Sequence, residues 1–316
     1  MGKKSKQERR GGTGGKKSPG GSSNNASELL VSTSARGIGE TLTDTPDAIR
    51  GSDAAAAEEA AKQNGNGKFD LWNPQPRPDC DICMITLPIK PNLCMYLSCC
   101  GKMICCGCHF GHQRQCDKDK TEQTCPFCRE PMSEPDSAVV QRMKKRAEMG
   151  DADAIRNLSG AYRDGTLGLQ EDEAKALKLL QRAADLGNPT AQHQLAVAYL
   201  DGDFGLVRNT AKATSYWEMA AAGGHVMSRY NLGCQEDKRG VPYLAMIHWR
   251  IAAEAGSKKA VDRLTEYFVK HPDMLTKPQL EKIMRAKHEA CEAMRSDERD
   301  EVVKIKKGWG DYGDEP

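Results

Sequence analysis

Eleven of the thirteen cysteines of this chain lie between Cys80 and Cys128, and no other feature limits the fold so tightly. The stretch opens with Cys80-Asp-Ile-Cys83 and closes with Cys125-Pro-Phe-Cys128. Between them runs Cys99-Cys100-Gly-Lys-Met-Ile-Cys105-Cys106-Gly-Cys108. Separated C-x-x-C pairs are what brings four thiolates round one tetrahedral ion. The competing reading is a disulfide framework. Against it, the chain begins with charge rather than an apolar leader, and outside the cluster only Cys234 and Cys291 occur. The pattern therefore predicts two structural zinc ions in a reducing compartment, cytoplasm or nucleus. So short a stretch cannot hold itself together by apolar burial. A structural zinc contributes about 10–16 kcal/mol at neutral pH, so the metals would dominate its stability.

Composition divides the rest of the 316 residues. Residues 1–70 are rich in Gly, Ser, Lys and Asn and read as a disordered basic tail, with at most a short helix over 54–62. Residues 71–136 hold the cysteines, behind an extended proline-containing lead-in. Residues 137–296 carry helical periodicity, and 297–316 read as a charged, mobile tail. A net charge of +2 gives no global field for nucleic acid. The apolar runs are too short for a membrane span, so neither partner is expected.

The order and spacing of the cysteine pairs resemble a RING finger, a small α+β module in which two zincs are held in a cross-brace. The resemblance implies that Cys80, Cys83, Cys105 and Cys108 make one site, and that Cys125 and Cys128 supply half of the other. Where that family has a histidine before the third pair, this chain has Lys102, which is protonated and cannot ligate. An all-cysteine variant of the family places a cysteine where Cys100 stands, so Cys99 and Cys100 are expected to complete the second site, helped by a sharp turn at Gly101. The rival is that Cys94, His109, His112 or Cys116 replaces one of them; otherwise these are buried thiols and surface imidazoles. Phe110 is expected in the module's small core.

From about residue 137 the chain repeats. Ala154, Leu158 and Tyr162 recur as Ala191, Leu195 and Tyr199, a step of 37. Ala183-Ala184-Asp-Leu-Gly187 recurs around Gly224 and Gly256, at steps of 37 and 32. Apolar residues at i, i+4 and i+8, closed by glycine, predict helix–turn–helix units. Trp217 and Trp249 align with Leu180 and are expected in the inter-repeat core. The pattern resembles Sel-one-like repeats, relatives of the tetratricopeptide family, and implies an all-α solenoid. Residues 137–149 align as the second helix of an incomplete repeat, which predicts that the cysteine module is held close to the first helix. Residues 278–295 are expected to form a capping helix.

Two closed four-thiolate sites leave no open coordination position, so direct metal catalysis is not expected. The RING resemblance implies instead a ubiquitin ligase that forms no covalent intermediate. Ile82 and Pro126 would dock the ubiquitin-charged conjugating enzyme, Arg129 would act as the linchpin contacting enzyme and ubiquitin, and the repeats would recruit substrate or a scaffold. The alternative is a zinc-stabilised adaptor that only binds protein.

Overall fold

The computed structural model describes residues 74–132 and 135–307. The basic tail over 1–70, its short helix and Trp309 lie outside the described residues. Within them the chain forms a small mixed module followed by an all-helical repeat array.

In the module, a single turn at Pro91–Leu93 leads into β1 (Cys94–Tyr96), which pairs antiparallel with β2 (Met103–Cys105). Helix α1 (Cys106–Asp119) follows directly. The apolar centre is formed by Leu87, Leu97 and Ile104, with Met95, Met103 and Met132 partly buried against them, among the cysteines. Phe110 does not join it: it is half-buried on α1, with the Arg114 guanidinium 5.6 Å from its ring centre. One helical turn beyond Cys106, that position faces the edge of the module rather than its middle.

The repeat array contains α2 (Asp136–Glu148), α3 (Ala152–Asp164), α4 (Glu173–Asp185), α5 (Pro189–Asp201), α6 (Thr210–Ala222), α7 (Val226–Lys238), α8 (Pro242–Glu254) and α9 (Lys258–Lys270). Each junction between repeats is built the same way. Gly150, Gly187, Gly224 and Gly256 all take positive φ, and each donates its N–H to the carbonyl three residues back. The next residue donates to the carbonyl five back, Asp151 to Arg146, Asn188 to Ala183, His225 to Ala220 and Ser257 to Ala252. This is the two-bond closure of a helix by a left-handed residue. That same next residue then caps the following helix through its side chain, which accepts from Ala154, Ala191, Ser228 or Ala260. The glycine-plus-cap pair is therefore the hinge of the period. Gly150 and Asp151 show that α2 is indeed the second half of an incomplete unit. Trp217 and Trp249 are buried between repeats.

The array ends in α10 (Lys277–Ala293), opened by a Thr276–Gln279 capping box. Beyond it the structure departs from the expected tail: Asp297–Lys307 form helix α11. Asp297, Glu298 and Asp300 sit in its first turn, where carboxylates complement the helix dipole. Val302 and Arg299 are buried against the module. No helix among the described residues is long and apolar enough to cross a membrane.

Candidate metal centre

The two outer cysteine pairs form matching knuckles, 45 residues apart. In the first, Cys80 N donates to Ile85 O (2.9 Å) and Met84 N to Cys80 O (2.9 Å). In the second, Cys125 N donates to Glu130 O (2.7 Å) and Arg129 N to Cys125 O (3.0 Å). Each knuckle is sealed by an antiparallel bridge, Asp79 with Thr86 and Thr124 with Pro131. To turn so tightly, the residue after the second cysteine takes positive φ, Met84 at 56° and Arg129 at 65°. The third pair sits at a helix start: Cys105 caps α1, its sulfur accepting from Cys108 N at 3.4 Å.

These elements gather the sulfurs into two foursomes, Cys80, Cys83, Cys105, Cys108 and Cys99, Cys100, Cys125, Cys128, each with all sulfurs within 4.8 Å of one another. A zinc–sulfur bond of about 2.3 Å gives a tetrahedron with an edge of about 3.8 Å. The Cys100 and Cys125 sulfurs are 3.7 Å apart. Two cysteine clusters of this kind can each hold a metal ion. Adjacent Cys99 and Cys100 reach one cluster because Cys100 N and Gly101 N both fold back on Leu97 O, with Gly101 at φ +76°.

The thiol acidities fit a cation at each centre. Burial pushes Cys80 up, but backbone N–H groups of Cys105, Cys83 and Ile82 outweigh it and bring the thiol to about 7. Cys125 reaches about 7 in the same way, through Cys128 and Phe127. Cys83, Cys99, Cys100 and Cys108 move upward, first through burial and then, in varying degree, through neighbouring sulfurs. Each foursome thus favours one thiolate, at Cys80 or Cys125, and disfavours two more, a balance that a dication would change.

The other donors stay apart. Cys94 points to Pro88 O and Lys90 O, and burial lifts it to about 12. Cys106 faces Asn92 O. Cys116 is buried beside His112, whose Nε2 lies 2.6 Å from Thr124 O. Burial lowers His109. Lys102 pairs with Asp81 at 2.9 Å and lies 5.9 Å over the Phe127 ring, bridging the two knuckles.

Ile82 is 40% exposed, Arg129 is exposed and Pro126 half-buried. Two further residues that no motif singles out are exposed: Met84, at 70%, and Phe127. Met84 holds the same knuckle position as Arg129, and that equivalence is the signal of it in the sequence.

The module is fastened to the helices at several places. Tyr96 Oη donates to Asp151 (2.7 Å), and Arg146 Nε lies 3.0 Å from Tyr96 Oη and 2.8 Å from Asp151. The Arg146 guanidinium also fills the space over Gly101. Gln75 N donates to Ala222 O at 3.0 Å. Arg77 donates to Leu87 O and lies against Met294, while Ile89 packs at Gly256. Closeness to α2 was expected; the contacts farther along the array were not.

The Sel1 repeat family's sequence pattern matches residues 152–188, 189–225 and 226–257, bounds that coincide with the glycine-plus-cap junctions. No curated protein sequence matches the chain significantly. Among solved structures, the chain is similar to a Sel1 repeat protein from Oxalobacter formigenes. Identity is 31%, over 40% of this chain and 97% of that one, with a TM-score of 0.38. It is also similar to c5321, a protective antigen of uropathogenic Escherichia coli strains displaying an SLR fold. There identity is 22%, over 55% of this chain and 38% of that one, with a TM-score of 0.40.

Proposed function

We propose that this chain, whose residues 152–257 match the Sel1 repeat pattern, is a protein-interaction adaptor. Its working surface is a two-zinc cysteine module carried on the repeats. Cys80, Cys83, Cys105 and Cys108 hold one ion, and Cys99, Cys100, Cys125 and Cys128 the other. The ions are structural: they fix the knuckles and supply no reaction. The observation that carries the reading is the exposure of three large apolar side chains, Ile82, Met84 and Phe127, on the knuckles of a module otherwise clamped to the helices. Rigid apolar residues beside a cation, Arg129, are suited to anchoring a protein partner. The stacked helix pairs offer a second extended surface for a substrate or scaffold protein. Free thiolate ligands suit a cytoplasmic or nuclear setting.

A second reading, a RING-type ubiquitin ligase, is favoured by one observation. Ile82 and Arg129 lie exposed and Pro126 partly so, at the positions where a conjugating enzyme and ubiquitin would dock. A ubiquitin-transfer assay with a panel of charged conjugating enzymes separates the two. Chains that vanish on Arg129→Ala and Ile82→Ala, with both zincs retained, establish the ligase. Silence across the panel from a chain carrying two zincs leaves the adaptor. A full-length chain without metal removes both.

A further inference from the structure

Arg299 lies in the first turn of α11 and is 6% exposed. A guanidinium so enclosed needs acceptors and a counter-charge. Its Nη1 donates to Thr86 O and to Met294 O, both at 2.7 Å. Its Nη2 donates to Ile85 O at 3.0 Å and to Cys83 Sγ at 3.4 Å. None of these partners is a carboxylate. The acidic group among them is the Cys83 sulfur, a member of the first foursome.

The backbone is fitted to the same purpose. A Cβ on Gly107 would stand 2.7 Å from Arg299 N, so the first turns of α1 and α11 meet where only glycine allows it. Arg114 Nη1 donates to both carboxylate oxygens of Glu301, at 2.6 and 2.7 Å, though on the exposed side. Apart from Val302, α11 has little buried apolar surface to hold it in place. The second foursome has no equivalent among the described residues. Arg146, its nearest clamped arginine, is engaged by Tyr96 and Asp151 instead.

Resting on the two-zinc reading above, we propose that Arg299 is a positioning residue for the first centre, and that metal there latches the C-terminal helix onto the module. Four thiolates round one dication carry a net charge of −2, and Arg299 offsets part of it while its fork fixes the first knuckle's carbonyls. Without the ion the four sulfurs no longer share one centre, and thiols that take up protons leave the buried arginine with less counter-charge.

The test uses the full-length chain. Zinc is first counted by native mass spectrometry; fewer than two ions in the wild type overturns the two-zinc reading, and the latch with it. With two present, zinc release to a chromogenic chelator is followed for Arg299→Met and Arg299→Lys. One ion is expected to leave roughly 10- to 100-fold faster in Arg299→Met, with Arg299→Lys between it and wild type and the other ion unchanged. Cys128→Ser, which keeps only the first centre intact, assigns the fast phase. A measurement without any Arg299 variant guards against misfolding: amide hydrogen exchange over 297–307, slow in the metal-bound chain, should become fast after chelation. Wild-type release of both ions from Arg299→Met, or a helix that stays protected once metal is gone, overturns the latch while leaving the zinc reading intact.

Discussion

Asp151 does three jobs at one position. It ends the first repeat junction, caps α3 through Ala154 N at 3.0 Å, and accepts from Tyr96 and Arg146. Burial raises its carboxyl, but the Ala154 N–H, Tyr96 hydroxyl and Arg146 guanidinium outweigh this and hold it below its ordinary 3.8. A depressed acid stabilises the fold above its unfolded value and loses that contribution as pH falls through the folded one. The module-to-α2 contact should therefore be intact above about pH 4 and weaken in more acid solution, visible as a shift of Tyr96 fluorescence or amide resonances. Asp151→Asn keeps the cap but not the charge, so chemical denaturation should show a loss of about 1 kcal/mol, since the pair is partly solvated. Asp151→Ala should lose about 1 kcal/mol more with the cap. Of this residue-scale detail, the C-x-x-C pairs were legible from spacing, because each knuckle is local chemistry; which pairs share a foursome was implied only by the RING resemblance, and the Cys99–Cys100 half stood against rival donors. Arg299 was not legible. Nothing adjacent to it in sequence distinguishes it from other arginines in charged surroundings, and its partners in the module lie more than two hundred residues earlier.

At the scale of elements, the repeat period follows from the glycine-plus-cap junction, and it could be read from sequence because left-handed closure and side-chain capping are both local demands. The same glycines differ in what lies above them. A Cβ added at Gly187 would meet nothing within 4 Å, whereas at Gly224 that space is taken by the Gln75 carbonyl oxygen. Both Gly187→Ala and Gly224→Ala should lose about 1–2 kcal/mol from the positive φ. Gly224→Ala should lose about 1 kcal/mol beyond that, as the Gln75–Ala222 hydrogen bond is pushed apart. Equal midpoints in urea for the two variants would remove the lead-in from the account. Helix α11 escaped sequence reading for a related reason. Its apolar residues are too sparse to set a helical period, and its contacts, Arg299 on the first knuckle, Arg114 with Glu301 and the close approach at Gly107, all lie far away in sequence.

Across the whole molecule, the module meets the array at the turn beside Asp151, at Ala222 and Gly224, and at Gly256, then again through α11. The four junction glycines fall at steps of 37, 37 and 32 residues, so these contacts run along one repeated feature. The module is strapped to the helices rather than tethered to them. Spin labels at Lys118 on α1 and Lys178 on α4, both exposed, should give one narrow distance distribution in the metal-bound chain and a broad one after chelation. A broad distribution in both states would mean an independent module. Chelation should also loosen residues 74–77 and α11 while leaving α3 to α9 folded, since their core clusters draw on the module only at Ile89.

Everything at these three scales depends on the two foursomes being metal centres. Native mass spectrometry of the full-length chain measures this directly. The account predicts two zinc ions per chain, and one in each of Cys83→Ser, Cys99→Ser and Cys100→Ser. A metal-free chain, or a Cys99→Ser or Cys100→Ser chain that still holds two, would contradict it.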